Sequence, residues 1–128
     1  MDKIAYCGHH CAYCHFDQCP GCRSDNPFCS YATLFADNIC PNVRCCKEKG
    51  LDGCYECKDL RECRIGFFDT QEQVAKATAL FIQKYGKETY TNSLERAIQS
   101  GVRYPHQFNE IGDVEKMIEL LKKYISVL

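Results

Sequence analysis

The sequence predicts a small α protein in two parts: an irregular cysteine-rich module over residues 1–66 and a three-helix unit over residues 67–128. The two parts are expected to pack together as one cooperative domain. Three observations predict this. The 128-residue chain carries 12 Cys, and all of them lie between Cys7 and Cys63. The first 63 residues hold nine Leu, Ile, Val or Phe, about 14%, below the ~20% under which a chain struggles to bury a core. Residues 64–128 hold nineteen, about 29%, and these recur at helical spacing. The first half therefore needs cross-links or metal for stability, as small core-poor segments generally do.

Several function classes fall away on composition. No apolar run approaches the ~18 residues that span a bilayer. The opening Met1-Asp2-Lys3-Ile4-Ala5-Tyr6-Cys7 has no apolar core of a secretory signal, so the expected setting is the reducing cytoplasm. A net charge of −1 leaves no electrostatic footprint for nucleic acid. The chain is too short for a TIM barrel.

In a reducing compartment dense cysteine points to metal ligation more than to disulfides. The spacing agrees. Cys11/Cys14, Cys19/Cys22 and Cys54/Cys57 are Cys-x-x-Cys pairs. Such a pair wraps a short turn around one ion and brings both sulfurs to it at ~2.3 Å. In Cys19-Pro20-Gly21-Cys22 the proline sets φ and the glycine relaxes the turn, and Arg23 follows as a donor to the thiolates. The expected fold class is thus a small metal-dominated α protein with a zinc-knuckle module.

Four-thiolate sites suit Zn²⁺, and iron–sulfur clusters are the alternative. The segment Cys7-Gly8-His9-His10-Cys11-Ala12-Tyr13-Cys14 is similar to the cluster loop of radical S-adenosylmethionine enzymes, but over eight residues only, and no long barrel follows. Cys45 and Cys46 are adjacent, and successive side chains point in different directions, so they are not expected to share one ion, though they could serve two. Two zinc sites is the central expectation, and three is the alternative. His9, His10 and His15 are read as exposed polar residues beside a knuckle, with replacement of one thiolate as the competing reading. His106 reads as a surface residue before a helix.

Residues 1–63 contain seven Lys or Arg and nine Asp or Glu. Each four-thiolate zinc site adds roughly −2, which makes the metallated module acidic and repellent to phosphate backbones. The aromatic residues between the cysteines (Tyr6, Tyr13, Phe16, Phe28, Tyr31, Phe35, Tyr55) are read as the small core around the metal rather than as a base-stacking surface.

These motifs resemble a known family, domain of unknown function 3795, small prokaryotic cysteine-rich proteins regarded as zinc binders. The resemblance rests on Cys7-Gly8-x-x-Cys11-x-x-Cys14, then Cys19-x-Gly21-Cys22-Arg23, Cys40-Pro41-x-x-x-Cys45 and Lys47-Glu48-Lys49-Gly50-Leu51. Cys54-x-x-Cys57 and Cys63 close it, so it spans residues 6–63. The tail segment Ala77-x-x-Leu80-Phe81-Ile82-x-x-Tyr85-Gly86 is similar in a less specific way. The ligand pool that the resemblance implies is Cys7, Cys11, Cys14, Cys19, Cys22, Cys40, Cys45, Cys54, Cys57 and Cys63. Cys46 stands where the family usually has a small residue that does not ligate, and Cys29 lies in a variable insert. Five residues separate Cys57 from Cys63, where the family usually has four and an aromatic-Pro pair. The family carries no assigned activity.

In the second half, the first helix is expected from about Thr70 to Tyr85. Asp69 or Thr70 caps it, Val74, Ala77, Phe81 and Tyr85 form its apolar stripe, and Gly86 is its stop. The second is expected from about Glu88 to Ser100, with Leu94, Ala97 and Ile98 on one face and Gly101 as its stop. Tyr104-Pro105 breaks the chain. The third begins after Asp113, a good N-cap, and carries Val114, Met117, Ile118, Leu121, Tyr124, Ile125 and Leu128. This stripe is expected to pack on the other helices and the cysteine-rich module, with a homodimer or a protein partner as the alternative.

No nucleophile–base constellation appears, and saturated four-thiolate sites argue against hydrolytic chemistry. The expected function is a structural zinc-binding protein serving as an interaction or adaptor module. An iron–sulfur or thiol-redox protein is the alternative, and a metalloenzyme the third reading.

Overall fold

A computed structural model of the chain describes residues 4–10, 41–65, 68, 73–104 and 106–125. Among them are five helices: α1 (Pro41–Lys49), α2 (Val74–Tyr85), α3 (Lys87–Gln99), α4 (His106–Ile111) and α5 (Val114–Lys122). Two single 3-10 turns, Cys54–Glu56 and Leu60–Glu62, lie between α1 and α2. An isolated bridge pairs Ile4 with His10 and closes a tight N-terminal loop. No helix among the described residues is long and apolar enough to cross a membrane.

α1 begins at Pro41, where a missing N–H costs nothing because the first helical N–H groups have no partner anyway. It ends with Leu51 N–H donating to the Cys46 carbonyl at 2.9 Å and Gly50 N–H to the Lys47 carbonyl at 3.4 Å, the pairing of a Schellman motif. This helix lies inside the module expected to be irregular. Its sequence carries no clear apolar stripe: Asn42 and Cys46 are its buried residues.

α2 is the centre of the fold. Residues Val74 to Ile82 are all buried, so the helix is covered on every side and not along one stripe. α3, α5 and the two 3-10 turns all pack on it. The expected stripe residues Val74, Ala77 and Phe81 are buried, and Tyr85 is half-buried. The helix starts at Val74, later than the expected Thr70, with Gln73 in the N-cap position and no side-chain cap bond there; Asp69 and Thr70, the expected cap, lie outside the described residues. Gly86 joins α2 to α3 as a single residue with φ +89°, a region that L side chains rarely adopt. Its N–H donates to the Ile82 carbonyl at 2.7 Å and its carbonyl accepts from Tyr90 N–H at 3.1 Å, so it ends one helix and starts the next.

α3 buries Tyr90, Leu94 and Ala97 on one face and stops at Gly101, with Val102 N–H bonded to the Ala97 carbonyl at 3.0 Å. α5 buries Met117 and Leu121, and Asp113 caps it, accepting from Lys116 N–H at 3.2 Å. α3 also satisfies the far end of α5. Ser93 Oγ donates to the Leu121 carbonyl at 2.5 Å, and Arg96 Nη1 to the Tyr124 carbonyl at 3.1 Å. The stripe expected on the last helix thus packs on α2, α3 and α4.

The second half therefore holds four described helices, not three. The extra one, α4, is six residues between Pro105 and Gly112. One turn and a half is too short for a helical period to show in sequence. It forms because Phe108 is driven fully into the core, edge-on to Tyr104 at a centroid distance of 5.5 Å. His106 opens this helix and is exposed, as expected.

Candidate functional site

The cysteine-rich site is assembled from α1, the two 3-10 turns and the N-terminal loop. Cys54 opens the first turn, and Cys57 N–H returns to the Cys54 carbonyl at 3.0 Å, so the Cys-x-x-Cys pair brackets one tight turn. Cys54 N–H donates to the Tyr6 carbonyl at 2.7 Å, which draws Cys7 alongside. The second turn places Cys63 at its end, where Cys63 N–H bonds the Leu60 carbonyl at 3.1 Å. Cys45, Cys46, Cys54, Cys57 and Cys63 border one cavity of about 270 Å³, together with the apolar side chains of Leu60 and Phe68.

Within this arrangement Cys46 and Cys54 make the closest sulfur pair. Both are buried, and their Sγ atoms lie 3.6 Å apart. None of the six described cysteines is in a disulfide. With Zn–S bonds of ~2.3 Å, the edge of a thiolate tetrahedron is about 3.8 Å, so the pair already has close to the separation of two zinc ligands. Asn42, one helical turn before Cys46, is also buried; its Nδ2 donates to the Ile65 carbonyl at 3.0 Å and reaches Cys54 Sγ at 3.8 Å. The Cys46 contact, then burial, pushes the Cys54 thiol far above its ordinary range. A bound cation inverts that preference, because a coordinating thiol is deprotonated outright.

Two lysines frame the site. Lys49 lies on the outer side, its Nζ 3.8 Å from Cys57 Sγ. The charges of Cys45 and then Cys57 raise the Lys49 ammonium above its ordinary value. Lys76 comes from α2 and is 5% exposed. Its Nζ donates to the carbonyls of Leu60 at 2.5 Å and Cys63 at 2.6 Å, and sits 4.5 Å from the centre of the Phe68 ring. Burial lowers the Lys76 pKa, and the charges of Cys63 and Cys54 oppose that shift. Lys76 thus works as a built-in cation that gathers the carbonyls of the second turn and holds Cys63 in place.

The N-terminal loop is pinned to the helices on its other face. His9 and His10 are buried, at 7% and 5% exposure, which corrects the expectation that they are exposed residues beside a knuckle. His9 stacks on Tyr104 with ring centres 5.2 Å apart, and its Nδ1 lies 3.0 Å from the Tyr104 hydroxyl. The backbone N–H of His10 donates to the same hydroxyl at 2.9 Å, and His10 Nε2 lies 3.3 Å from Thr91 Oγ1. Full burial raises the Tyr104 phenol well above its ordinary pKa, with the neighbouring Tyr90 adding to the shift. Gly8, at φ +97°, lies against the α2 backbone: a Cβ there would meet Ala79 N at 2.8 Å and Ala79 Cα at 2.9 Å.

Of the ten expected ligands, Cys45, Cys54, Cys57 and Cys63 border the shared cavity, and Cys7 lies beside Cys54. Cys11, Cys14, Cys19, Cys22 and Cys40 fall outside the described residues, as do Cys29, His15 and Arg23. Among the described residues no three His, Cys, Asp or Glu side chains converge closely enough to hold an ion. Sequence reasoning set Cys46 aside. The signal that would have found it is the helix itself: on α1, Cys45 shares a face with Lys49, whereas Cys46 shares one with Asn42.

Comparison with curated proteins and with solved structures gives no match. A family model, described as "Protein of unknown function (DUF3795)", matches residues 16–66. That stretch is less than half of the chain and includes Cys19, Cys22, Cys40, Cys45, Cys54, Cys57 and Cys63; the Cys7–Cys14 motif and the helical tail lie outside it. Over residues 16–66 the chain is thus similar to the family that its motifs resemble.

Proposed function

We propose that this chain is a structural zinc-binding protein whose cysteine-rich module serves as an interaction or adaptor unit for a protein partner in the cytoplasm. The observation that carries this reading is that Cys45, Cys46, Cys54, Cys57 and Cys63 border one cavity, with the Cys46 and Cys54 sulfurs 3.6 Å apart and no disulfide among them. Thiols gathered this way are the donor set of zinc. The ligand pool is drawn from Cys7, Cys11, Cys14, Cys19, Cys22, Cys40, Cys45, Cys54, Cys57 and Cys63, and serves two Zn²⁺ ions. The apolar content of the first half is too low to offset its chain entropy, and a structural zinc contributes on the order of 10 kcal/mol. The acidic balance of residues 1–63 favours a protein partner over nucleic acid.

Elemental analysis of the anaerobically purified chain tests the reading. About two zinc ions per chain are expected, together with loss of the cysteine-rich half's structure on chelation. A fully folded, metal-free chain refutes it. A brown protein with stoichiometric iron and acid-labile sulfide replaces it with an iron–sulfur protein.

A further inference from the structure

We infer that Cys46, and not its neighbour Cys45, is the cysteine through which α1 binds the same metal ion as Cys54. This rests on the zinc-binding reading and changes its ligand set. Adjacent residues on an α-helix stand about 100° apart, so Cys45 and Cys46 cannot present their sulfurs to one ion from the same direction. Burial separates them: Cys46 is 1% exposed, and Cys45 is half-buried. Their neighbours separate them further. Cys46 shares its face with the buried Asn42, whose amide reaches Cys54 Sγ, while Cys45 lies toward the exposed Lys49.

Distance also singles out Cys46. The 3.6 Å between Cys46 Sγ and Cys54 Sγ is within a few tenths of an ångström of a zinc–thiolate tetrahedral edge. One divalent ion placed against that edge forms two metal–sulfur bonds, and the two thiol protons leave to solvent. The Asn42 amide then donates to a thiolate, the kind of outer hydrogen bond that orients ligands at metal sites. Cys45 is left outside this ion, beside Lys49 and within reach of Cys57's side of the cavity.

The test uses the full chain, refolded anaerobically with ¹¹³Cd²⁺, and reads ¹¹³Cd–¹H correlations to cysteine β protons. One cadmium resonance coupled to both Cys46 and Cys54 is expected. In parallel, C45S should keep this cadmium, and C46S should bind it more than about 100-fold more weakly, beyond the 10–100-fold typical of losing an outer partner. A cadmium coupled to Cys54 but not to Cys46 overturns the inference while the metal reading stands. A chain that takes up neither cadmium nor zinc overturns both. The correlation is read on the unaltered sequence, so misfolding of a variant does not blur the result.

Discussion

Replacing Lys76 by Met tests whether one buried charge holds the cysteine-rich turns on the helical core. Methionine keeps an unbranched apolar stem and removes the ammonium, together with its contact over the Phe68 ring. The carbonyls of Leu60 and Cys63 then lose donors at 2.5 and 2.6 Å. The Cys63 carbonyl left without its donor costs about 1–3 kcal/mol, and the Leu60 carbonyl, which keeps the Cys63 N–H, loses a charge-assisted bond worth about 1.5–3 kcal/mol, so the two together cost roughly 2.5–6 kcal/mol. Part of this is offset, because the ammonium no longer has to be desolvated, and that opposing effect is what lowers the Lys76 pKa. A net loss of about 2–4 kcal/mol follows. For a chain of this size that corresponds to a fall in Tm of roughly 8–16 °C. Calorimetry of Lys76→Met against the parent chain, at matched metal content, measures it. The exposed Lys116→Met is the control and should shift stability by less than about 0.5 kcal/mol. A Lys76→Met chain that melts within about 2 °C of the parent would refute the clamp, because it would mean that the carbonyl contacts and the desolvation cancel.

Gly8→Ala is expected to destabilise by about 2–4 kcal/mol in urea titrations, since it combines positive-φ strain with a Cβ driven into the Ala79 backbone. Gly112→Ala, at φ +68° in open space, should show the strain alone, about 1 kcal/mol; equal losses at both positions would refute the contact. Tyr104→Phe should lose about 1–2 kcal/mol near neutral pH, because the hydroxyl serves His10 N–H and lies beside His9 Nδ1. The folded Tyr104 pKa lies above the unfolded value near 10, so the stability it contributes is present below pH ~10 and lost as pH rises through the folded value. The phenylalanine variant should lack that alkaline decline, and parallel pH–stability curves would exclude the assignment. Asp113→Ala should cost about 1 kcal/mol through loss of the α5 cap, read as a lower denaturant midpoint with an unchanged slope.

The second half of the chain was legible where its signals were local. Gly86 and Gly101 stop α2 and α3, Asp113 caps α5, and Met117 and Leu121 lie on the buried face of the last stripe. α4 was not legible, because six residues with Phe108 as their single fully buried anchor carry no period. α2 was legible as a helix but not as the central one. Nine buried residues in a row include Lys76, and a lysine becomes a core residue only because the carbonyls of Leu60 and Cys63, thirteen to sixteen positions earlier, converge on it.

At the candidate site the division is the same. The cysteine count, the Cys-x-x-Cys spacings and the poverty of apolar residues are written in the chain, and the expectation of a metal-held module rests on them. The roles of individual side chains are not. Cys46 is fully buried and Cys45 only half-buried because of the angular phase of a helix whose sequence shows no stripe. His9 is buried because Tyr104, 95 positions away, stacks on it. Spacing along a chain constrains what neighbours share, whereas burial depends on which distant segments arrive on the other side, and only their packing supplies that.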